Sequence, residues 1–109
     1  MSLARRWSAR ERYEMAKVEV FTRAWCGHCR RATRVFDARG VEYEKIDVTL
    51  DPAREQEMMD RSGGRYTVPQ IFIDGIHVGG ADELVLLEAR GKLDAMLSRG
   101  LDTDEALAE

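Results

Sequence analysis

The stretch that decides the fold is VEVFT at residues 18–22, followed by WCGHC at residues 25–29. The first segment is short, alternating and rich in β-branched residues, which predicts a strand. Cys26 and Cys29, the only two cysteines of the chain, then open an amphipathic segment that ends at Gly40. A strand, a CxxC turn and a helix in this order indicate a thiol redox site.

Composition sets the class of protein. A chain of 109 residues forms one domain with a modest core, and 44% hydrophobic with 34% charged residues is typical of a soluble globular protein. The formal net charge of −3 gives no general attraction to nucleic acid or to an anionic membrane. No apolar run approaches the roughly 18 residues that a membrane-spanning helix needs. We therefore expect neither nucleic acid nor a membrane as a partner.

The two ends of the chain are predicted to be appendages. Residues 1–15 are polar, carry four arginines and lack the hydrophobic segment of a secretory signal. Glu11 and Glu14 argue against a mitochondrial presequence, because such segments are poor in acidic residues. We expect a disordered extension over 1–15, the folded domain over 16–99 and an acidic tail over 100–109. Two cysteines without an export signal favour a reducing compartment, so the expected location is the cytoplasm.

The remaining sequence predicts the element order β-α-β-α-β-β-α-α. Asp51-Pro52 is a favourable helix start, and Asp74-Gly75 is a strong hairpin signal. Two strands joined across a helix should be parallel with a right-handed crossover, while the last two strands form an antiparallel hairpin. We therefore predict an α/β fold with a four-stranded mixed sheet. The predicted strands are 17–22, 43–48, 68–73 and 76–78, and the predicted helices are 27–40, 52–61, 82–90 and 92–99.

Apolar spacing predicts which side of each helix is buried. The inward residues are expected to be Cys29, Ala32, Thr33 and Phe36 in the first helix, Ala53, Met58 and Met59 in the second, Leu84, Val85 and Leu87 in the third, and Leu93, Met96 and Leu97 in the last.

Cys26 is predicted to lie just before the first helical residues. Unpaired backbone N–H groups and the positive end of the helix dipole stabilise a thiolate at such a position. His28, between the cysteines, is a further donor to that thiolate. We therefore predict that Cys26 is the nucleophile, and that Cys29, on the apolar face of the helix, is the more buried resolving thiol.

Two other uses of the cysteine pair remain open. A structural zinc ion needs about four ligands, and only His28 and His77 are available as further soft donors. A purely structural disulfide is the second alternative. Redox chemistry is favoured over both, and no metal ligand set is predicted.

Three segments together resemble the small bacterial glutaredoxins of class I, the dithiol type. They are VEVFTR before the CxxC turn, TVPQIFID at residues 67–74 and VGGADEL at residues 78–84. The resemblance covers residues 17–97, and the three motifs in this order make it specific. It implies the thioredoxin fold and a glutathione-dependent thiol–disulfide oxidoreductase, which reduces glutathione mixed disulfides and the disulfides of proteins or small molecules.

The resemblance also implies a glutathione site. Thr67 and Val68 precede Pro69, which is cis in the family, and Val68 would pair its backbone with the cysteinyl part of glutathione like an added strand. The N–H groups of a helix that opens near Gly80 and Ala81 would hold the γ-glutamyl carboxylate.

Charged contacts to glutathione are implied at three positions. The Asp82 carboxylate would take the γ-glutamyl amine, Arg23 would pair with the glycyl carboxylate, and Arg65 is a second candidate for that carboxylate. Simpler interpretations are that Asp82 is only a helix N-cap and that Arg23 is only a solvated charge.

The turn departs from the CPYC sequence that is usual in the family. Gly27 in place of proline loosens the turn, and His28 in place of tyrosine removes an aromatic wall from the glutathione groove. WCGHC is the active-site sequence of protein disulfide isomerase domains. Because histidine stabilises the reduced thiolate, we expect a reduction potential between typical glutaredoxin and isomerase values, roughly −230 to −180 mV.

Three rival functions remain open. One is a disulfide oxidant or isomerase, and another is a glutaredoxin-like protein that thioredoxin reductase serves. The third is a carrier of a [2Fe–2S] cluster, bridged by Cys26 and glutathione in two subunits. The expected properties are glutathione as co-substrate, no tightly bound cofactor, glutathionylated or disulfide-containing proteins as partners, and a monomeric state.

Overall fold

Four strands and four helices, in the predicted order, make up residues 16–97, the part of the chain that the computed structural model describes. The strands are β1 (Val18–Thr22), β2 (Glu44–Asp47), β3 (Gln70–Ile73) and β4 (Ile76–Gly79). The helices are α1 (Gly27–Ala38), α2 (Pro52–Arg61), α3 (Ala81–Ala89) and α4 (Leu93–Leu97). The predicted extension and acidic tail lie outside the described residues.

The sheet is mixed and has the strand order β2-β1-β3-β4. β1 runs parallel to β2 and antiparallel to β3, and β3 and β4 form the antiparallel hairpin. Both predicted pairings are confirmed. Because β1 is an inner strand, the CxxC turn that follows it lies near the middle of the sheet, at the carboxyl end of β1.

Alternation along β1 divides the core between the two faces of the sheet. Val18 and Val20 pack with α1, α3 and α4, whereas Phe21 packs on the other face around Met58 of α2. This division follows from the two-residue period of a strand, which predicts Val18 and Val20 on one face and Phe21 on the other, and both faces are buried.

Local signals set the ends of the elements. The Asp51 side chain accepts a hydrogen bond of 3.1 Å from the Arg54 N–H, so it caps α2 as predicted. Asp74 and Gly75 have φ values of 53° and 81°, which is the pattern of a tight type I′ hairpin turn. β3 begins at Gln70, two residues later than predicted, because Pro69 has no N–H to donate to the ladder.

Two inward-facing predictions are wrong. Val85 is 39% exposed, and Ala53 is also exposed. α3 buries only Ala81 and Leu84, and the next residue points about 100° away from Leu84 around a helix, towards solvent. Over the described residues, none of the helices has the length and apolar character to cross a membrane.

Candidate active site

Cys26 is the N-cap residue of α1. Its backbone is extended, with φ −99° and ψ 110°, and its Sγ accepts a hydrogen bond of 3.2 Å from the Cys29 N–H. The sulfur takes the role that a serine or aspartate oxygen usually plays at a helix start, and it lies where the helix dipole favours negative charge. The same sulfur lies 3.9 Å from the Val68 carbonyl oxygen. Cys26 is partly exposed, so its sulfur can meet a substrate.

Cys29 is the buried member of the pair, with 4% of its surface exposed. Burial and a hydrogen bond to the Cys26 side chain together raise the pKa of the Cys29 thiol to about 12. Both cysteines are free thiols in this structure. At neutral pH Cys29 therefore keeps its proton and acts as a donor beside the Cys26 sulfur.

A groove of about 160 Å³ lies beside the thiol turn and brings together seven of the eight implied glutathione contacts, all but Arg23. The Val68–Pro69 peptide bond in its wall is cis, as the resemblance implies. His28 is exposed and lies at its edge. The implied contacts that line the groove are Thr67, Val68, Pro69, Gly80, Ala81, Asp82 and the second candidate Arg65, and the other lining residues are His28, Arg31 and Glu83.

Internal ion pairs occupy the charged residues of this groove. Asp82 pairs with Arg31, and Glu83 accepts from Arg65 at 3.3 Å and also from the Gly80 N–H. Gly80 is the N-cap of α3 and Asp82 is its second residue, so the N-cap interpretation of Asp82 is wrong. A carboxylate at the start of α3 already meets the free N–H groups there.

Arg23 lies outside the groove. It pairs with Glu55 of α2 and lines a separate cleft next to Cys26. The structure therefore brings Arg23 to the thiol turn but not to the residues expected to hold the γ-glutamyl end.

Sequence reasoning missed one buried network behind the groove. Gln70 is fully buried, and its Nε2 donates to the Thr67 carbonyl at 3.0 Å and to the Thr67 hydroxyl at 3.3 Å. His77 Nε2 lies 2.7 Å from Gln70 Oε1 and therefore donates to it. Burial lowers the pKa of His77, which favours the neutral ring. A glutamine in an otherwise apolar strand was the available signal, since a buried amide requires partners.

No group of three or more His, Cys, Asp or Glu side chains within residues 16–97 is arranged to hold a metal ion. The described part of the chain thus contains no ligand set that would complete a zinc half-site at the cysteine pair.

A partly exposed thiol at a helix N-cap, a buried thiol one turn later and a cis-proline segment beside them, on this sheet, define a thioredoxin-fold thiol–disulfide oxidoreductase. The glutaredoxin family model matches residues 18–78, more than half of the chain. The chain belongs to the glutaredoxin family, whose members are glutathione-dependent oxidoreductases.

Individual relatives agree with this assignment. Glutaredoxin 3 of Escherichia coli K12 is 46% identical over 83 residues, which cover 76% of this chain and 99% of that protein. A glutaredoxin of Pseudomonas aeruginosa is 44% identical over 84 residues, covering 77% and 99%.

Solved structures are similar as well. The solution structure of a Brucella melitensis glutaredoxin has a TM-score of 0.68 at 45% identity, covering 77% of this chain and 90% of that one. The crystal structure of a buckwheat glutaredoxin–glutathione complex has a TM-score of 0.70 at 31% identity, covering 82% and 84%.

Proposed function

We propose that this glutaredoxin reduces glutathione mixed disulfides with Cys26 as the nucleophile and Cys29 as the resolving thiol. The observation that carries the proposal is the contrast between the two sulfurs. Cys26 Sγ is partly exposed and accepts a backbone hydrogen bond at a helix N-terminus, whereas Cys29 is buried and protonated. Only Cys26 combines access to substrate with stabilisation of a thiolate.

The reaction follows from this assignment. The Cys26 thiolate attacks the glutathione sulfur of a mixed disulfide, the substrate thiolate leaves and takes a proton, and a Cys26–glutathione disulfide forms. A second glutathione thiolate attacks that disulfide and restores Cys26, releasing oxidised glutathione. With a protein disulfide, Cys26 first attacks one client sulfur and the other client sulfur leaves as a thiolate. Cys29 then loses its proton and attacks Cys26, which releases the reduced client and leaves a Cys26–Cys29 disulfide for two glutathione molecules to reduce.

The groove is the proposed glutathione site. The Val68 backbone would pair with the cysteinyl residue, and the start of α3 at Gly80 and Ala81 would hold the γ-glutamyl carboxylate. Glu83 already accepts from the Gly80 N–H, so the γ-glutamyl carboxylate would either displace Glu83 there or bind at Ala81, whose N–H has no acceptor within the helix. Asp82 would exchange its partner Arg31 for the γ-glutamyl amine. The similar buckwheat structure, a complex with glutathione, gives further support.

Arg23 is proposed to reach the glycyl carboxylate only after leaving Glu55, its partner in the free protein. His28 would approach the Cys26 sulfur from the edge of the groove and stabilise the thiolate.

The test is a glutathione-coupled assay on a small glutathionylated substrate with two cysteine variants. Cys29→Ser should keep deglutathionylation activity, because a second glutathione resolves the intermediate. Cys26→Ser should abolish it. Equal loss of activity in both variants would contradict the assignment of nucleophile and resolving thiol.

A [2Fe–2S] carrier is the second candidate. The turn at Gly27 is open, since nothing lies within 4 Å of where a Cβ would stand, and Cys26 reaches the surface beside the groove. Cys26 of two subunits and two glutathiones would hold the cluster. Brown colour and visible absorbance after anaerobic purification, lost in Cys26→Ser, would support this role, and their absence in the wild type would exclude it.

Several further properties belong to the same proposal. We expect a monomer in the cytoplasm, no tightly bound cofactor, and reduction by glutathione instead of thioredoxin reductase. Equilibration with glutathione tests the potential expected from the CGHC turn. A value near that of thioredoxin, about −270 mV, would contradict the more oxidising character that we expect.

A further inference from the structure

Both thiols line a second cleft, which shares no lining residue with the glutathione groove. It measures about 320 Å³, roughly twice the groove, and lies between the thiol turn and β2. Besides Cys26 and Cys29, its wall contains Trp25 and three cationic side chains, Arg23, Arg30 and Lys45. A substrate that reacts with Cys26 therefore has room on this side as well.

The charge of this cleft is positive in a protein whose formal net charge is −3. Its one carboxylate, Asp47, accepts from the Thr49 N–H at 2.8 Å, and hydrogen bonds from Thr49 lower its pKa. Arg23 is paired with Glu55. Arg30 and Lys45 are exposed, and within residues 16–97 neither lies within salt-bridge distance of a carboxylate, although the charge of Lys45 contributes to the lowered pKa of Asp47. Two cations beside the reacting sulfurs are thus available to an anionic partner.

Trp25 adds a large apolar surface to the rim. Trp25 is 97% exposed, and its backbone has φ 64°, in the left-handed region that bulky residues rarely adopt. Exposed tryptophans are frequent anchors of protein–protein contacts, because they bury a large area with little loss of conformational entropy. A small disulfide cannot cover this ring, whereas a polypeptide can.

We propose that this cleft binds the polypeptide of disulfide-bearing clients and selects segments in which acidic residues flank the reactive cysteine. Arg30 and Lys45 pair with those acidic side chains, and Trp25 packs on an apolar side chain of the same segment. This inference rests on the proposed function, because it names the class of protein on which the same two thiols act.

The chemistry in the cleft transfers two electrons to the client. The Cys26 thiolate attacks one client sulfur, the client disulfide breaks, and the other client sulfur leaves as a thiolate that takes a proton. Cys29 then loses its proton and attacks Cys26, which releases the second client thiolate and leaves a Cys26–Cys29 disulfide. Two glutathione molecules reduce that disulfide and become oxidised glutathione.

The test compares three peptides that share one disulfide and differ only in their flanking residues, which are acidic, uncharged or basic. A small hydroxyalkyl disulfide serves as a fourth substrate. The double variant Arg30→Glu with Lys45→Glu is compared with the wild type and with Arg34→Glu, an exposed residue of α1 outside the cleft. The measured quantity is the ratio of kcat/KM for the acidic peptide to that for the basic peptide. Changes in thiol reactivity affect both peptides equally and cancel in this ratio.

We expect the wild type to prefer the acidic peptide, and the preference to weaken with salt. The double reversal should lower the ratio about tenfold or more, since each reversal replaces an attraction by a repulsion. Arg34→Glu should leave the ratio near its wild-type value. The conservative double variant Arg30→Lys with Lys45→Arg should keep the preference for the acidic peptide, because both positive charges remain. Trp25→Ala should raise KM for all three peptides but not for the small disulfide.

Two results would overturn the inference. One is a ratio that stays constant in the double reversal while peptide activity is retained. The other is a double reversal that raises KM for glutathione equally with every substrate and leaves the peptide ratio unchanged, which would assign Arg30 and Lys45 to the glycyl end of the glutathione site, next to Arg23. A wild type that fails to turn over the small disulfide would contradict the proposed function itself, so the two failures are distinguishable.

Discussion

Burial separates two thiols that lie only three positions apart in the sequence. Cys26 stands at the helix start, and Cys29, one turn later, points into the core. The apolar spacing of α1 was enough to predict this difference, because residues at i, i+3, i+4 and i+7 share a face. The contact between Cys26 and the Val68 carbonyl could not be predicted from that spacing, because it joins residues 42 positions apart.

The pKa of Cys29 leads to a prediction about alkylation. Its folded-state pKa of about 12 exceeds the ordinary value of 9.0, so folding keeps Cys29 protonated in a range where the unfolded thiol ionises. The folded state therefore loses stability as the pH rises from 9 towards 12. Iodoacetamide at pH 9.5 should modify only Cys26 in the native protein and both cysteines in urea, as peptide mass spectrometry can measure. Equal modification in the native state would contradict the burial of Cys29.

Gly27 offers a second prediction at this scale. It is the first residue of α1, a position that proline favours, and Cys26 before it already has the extended backbone that proline requires. Gly27→Pro should therefore stabilise the fold by roughly 0.4–1 kcal/mol, through a less flexible unfolded chain. It should also make the potential more reducing. Urea unfolding measures the change in stability, and equilibration with glutathione measures the change in reduction potential. Gly64→Pro is the control: it should lower stability, because the φ of 97° at Gly64 is incompatible with proline.

At the scale of elements, the ends of helices were predicted well and the faces less well. Asp51 and Gly40 carry local signals, and the structure confirms both: Asp51 caps α2, and Gly40 follows α1 with φ 68°. Val85 was misplaced because α3 is apolar on more than one side, so that periodicity alone did not single out the buried stripe. Packing against β3 and β4 determines which residues of α3 are buried, and this packing cannot be read from the sequence of α3 alone.

Gln70 joins His77 of β4 to Thr67 in the wall of the groove, and this connection gives a prediction. Replacing Gln70 by Met keeps the volume but leaves Thr67 and His77 without their buried partner. We expect unfolding free energy to fall by about 2 kcal/mol, as for loss of a buried hydrogen-bond partner. KM for a glutathionylated substrate should rise about tenfold, equivalent to ~1.4 kcal/mol, because the Val68 backbone is no longer fixed.

The control is Gln56→Met, because Gln56 is an exposed residue of α2 whose amide donates to Asp60, its one side-chain partner within residues 16–97. It should change neither stability nor KM. The rate of Cys26 alkylation should stay the same in both variants. If Gln70→Met lowered stability and left KM unchanged, Gln70 would be a packing residue without a role in positioning the groove.

At the scale of the whole molecule, the element order and the mixed sheet followed from the sequence, whereas the assembly of the site did not. The spacing of the cysteines predicts that Cys26 lies in a turn before a helix, but it predicts no distance from Cys26 to Pro69 or Ala81, which belong to other parts of the fold. Only the resemblance to a family connected them. The internal pairing of Arg23 with Glu55 was not predicted at all, because the two residues lie 32 positions apart on different elements and no sequence signal marks a partly exposed ion pair.

The predicted domain can be tested by two truncations. Leu93 and Leu97 of α4 are fully buried in the core cluster that also holds Phe36. A chain of residues 16–99 should therefore keep the thermal midpoint and deglutathionylation activity of the full chain. A chain of residues 16–91 should fail to fold, as far-UV circular dichroism would show. Loss of activity in a 16–99 fragment that still folds would place a functional element outside 16–99.

The outward ring of Trp25 gives the molecule a built-in optical reporter. The chain has only one other tryptophan, Trp7, so a Trp7→Phe variant confines indole emission to the residue next to Cys26. Thiols and disulfides quench indole to different degrees, and a ring that is 97% exposed is also reached by dissolved quenchers. Emission intensity then follows the oxidation state of the turn in real time, while its response to added iodide reports whether a bound polypeptide covers the ring.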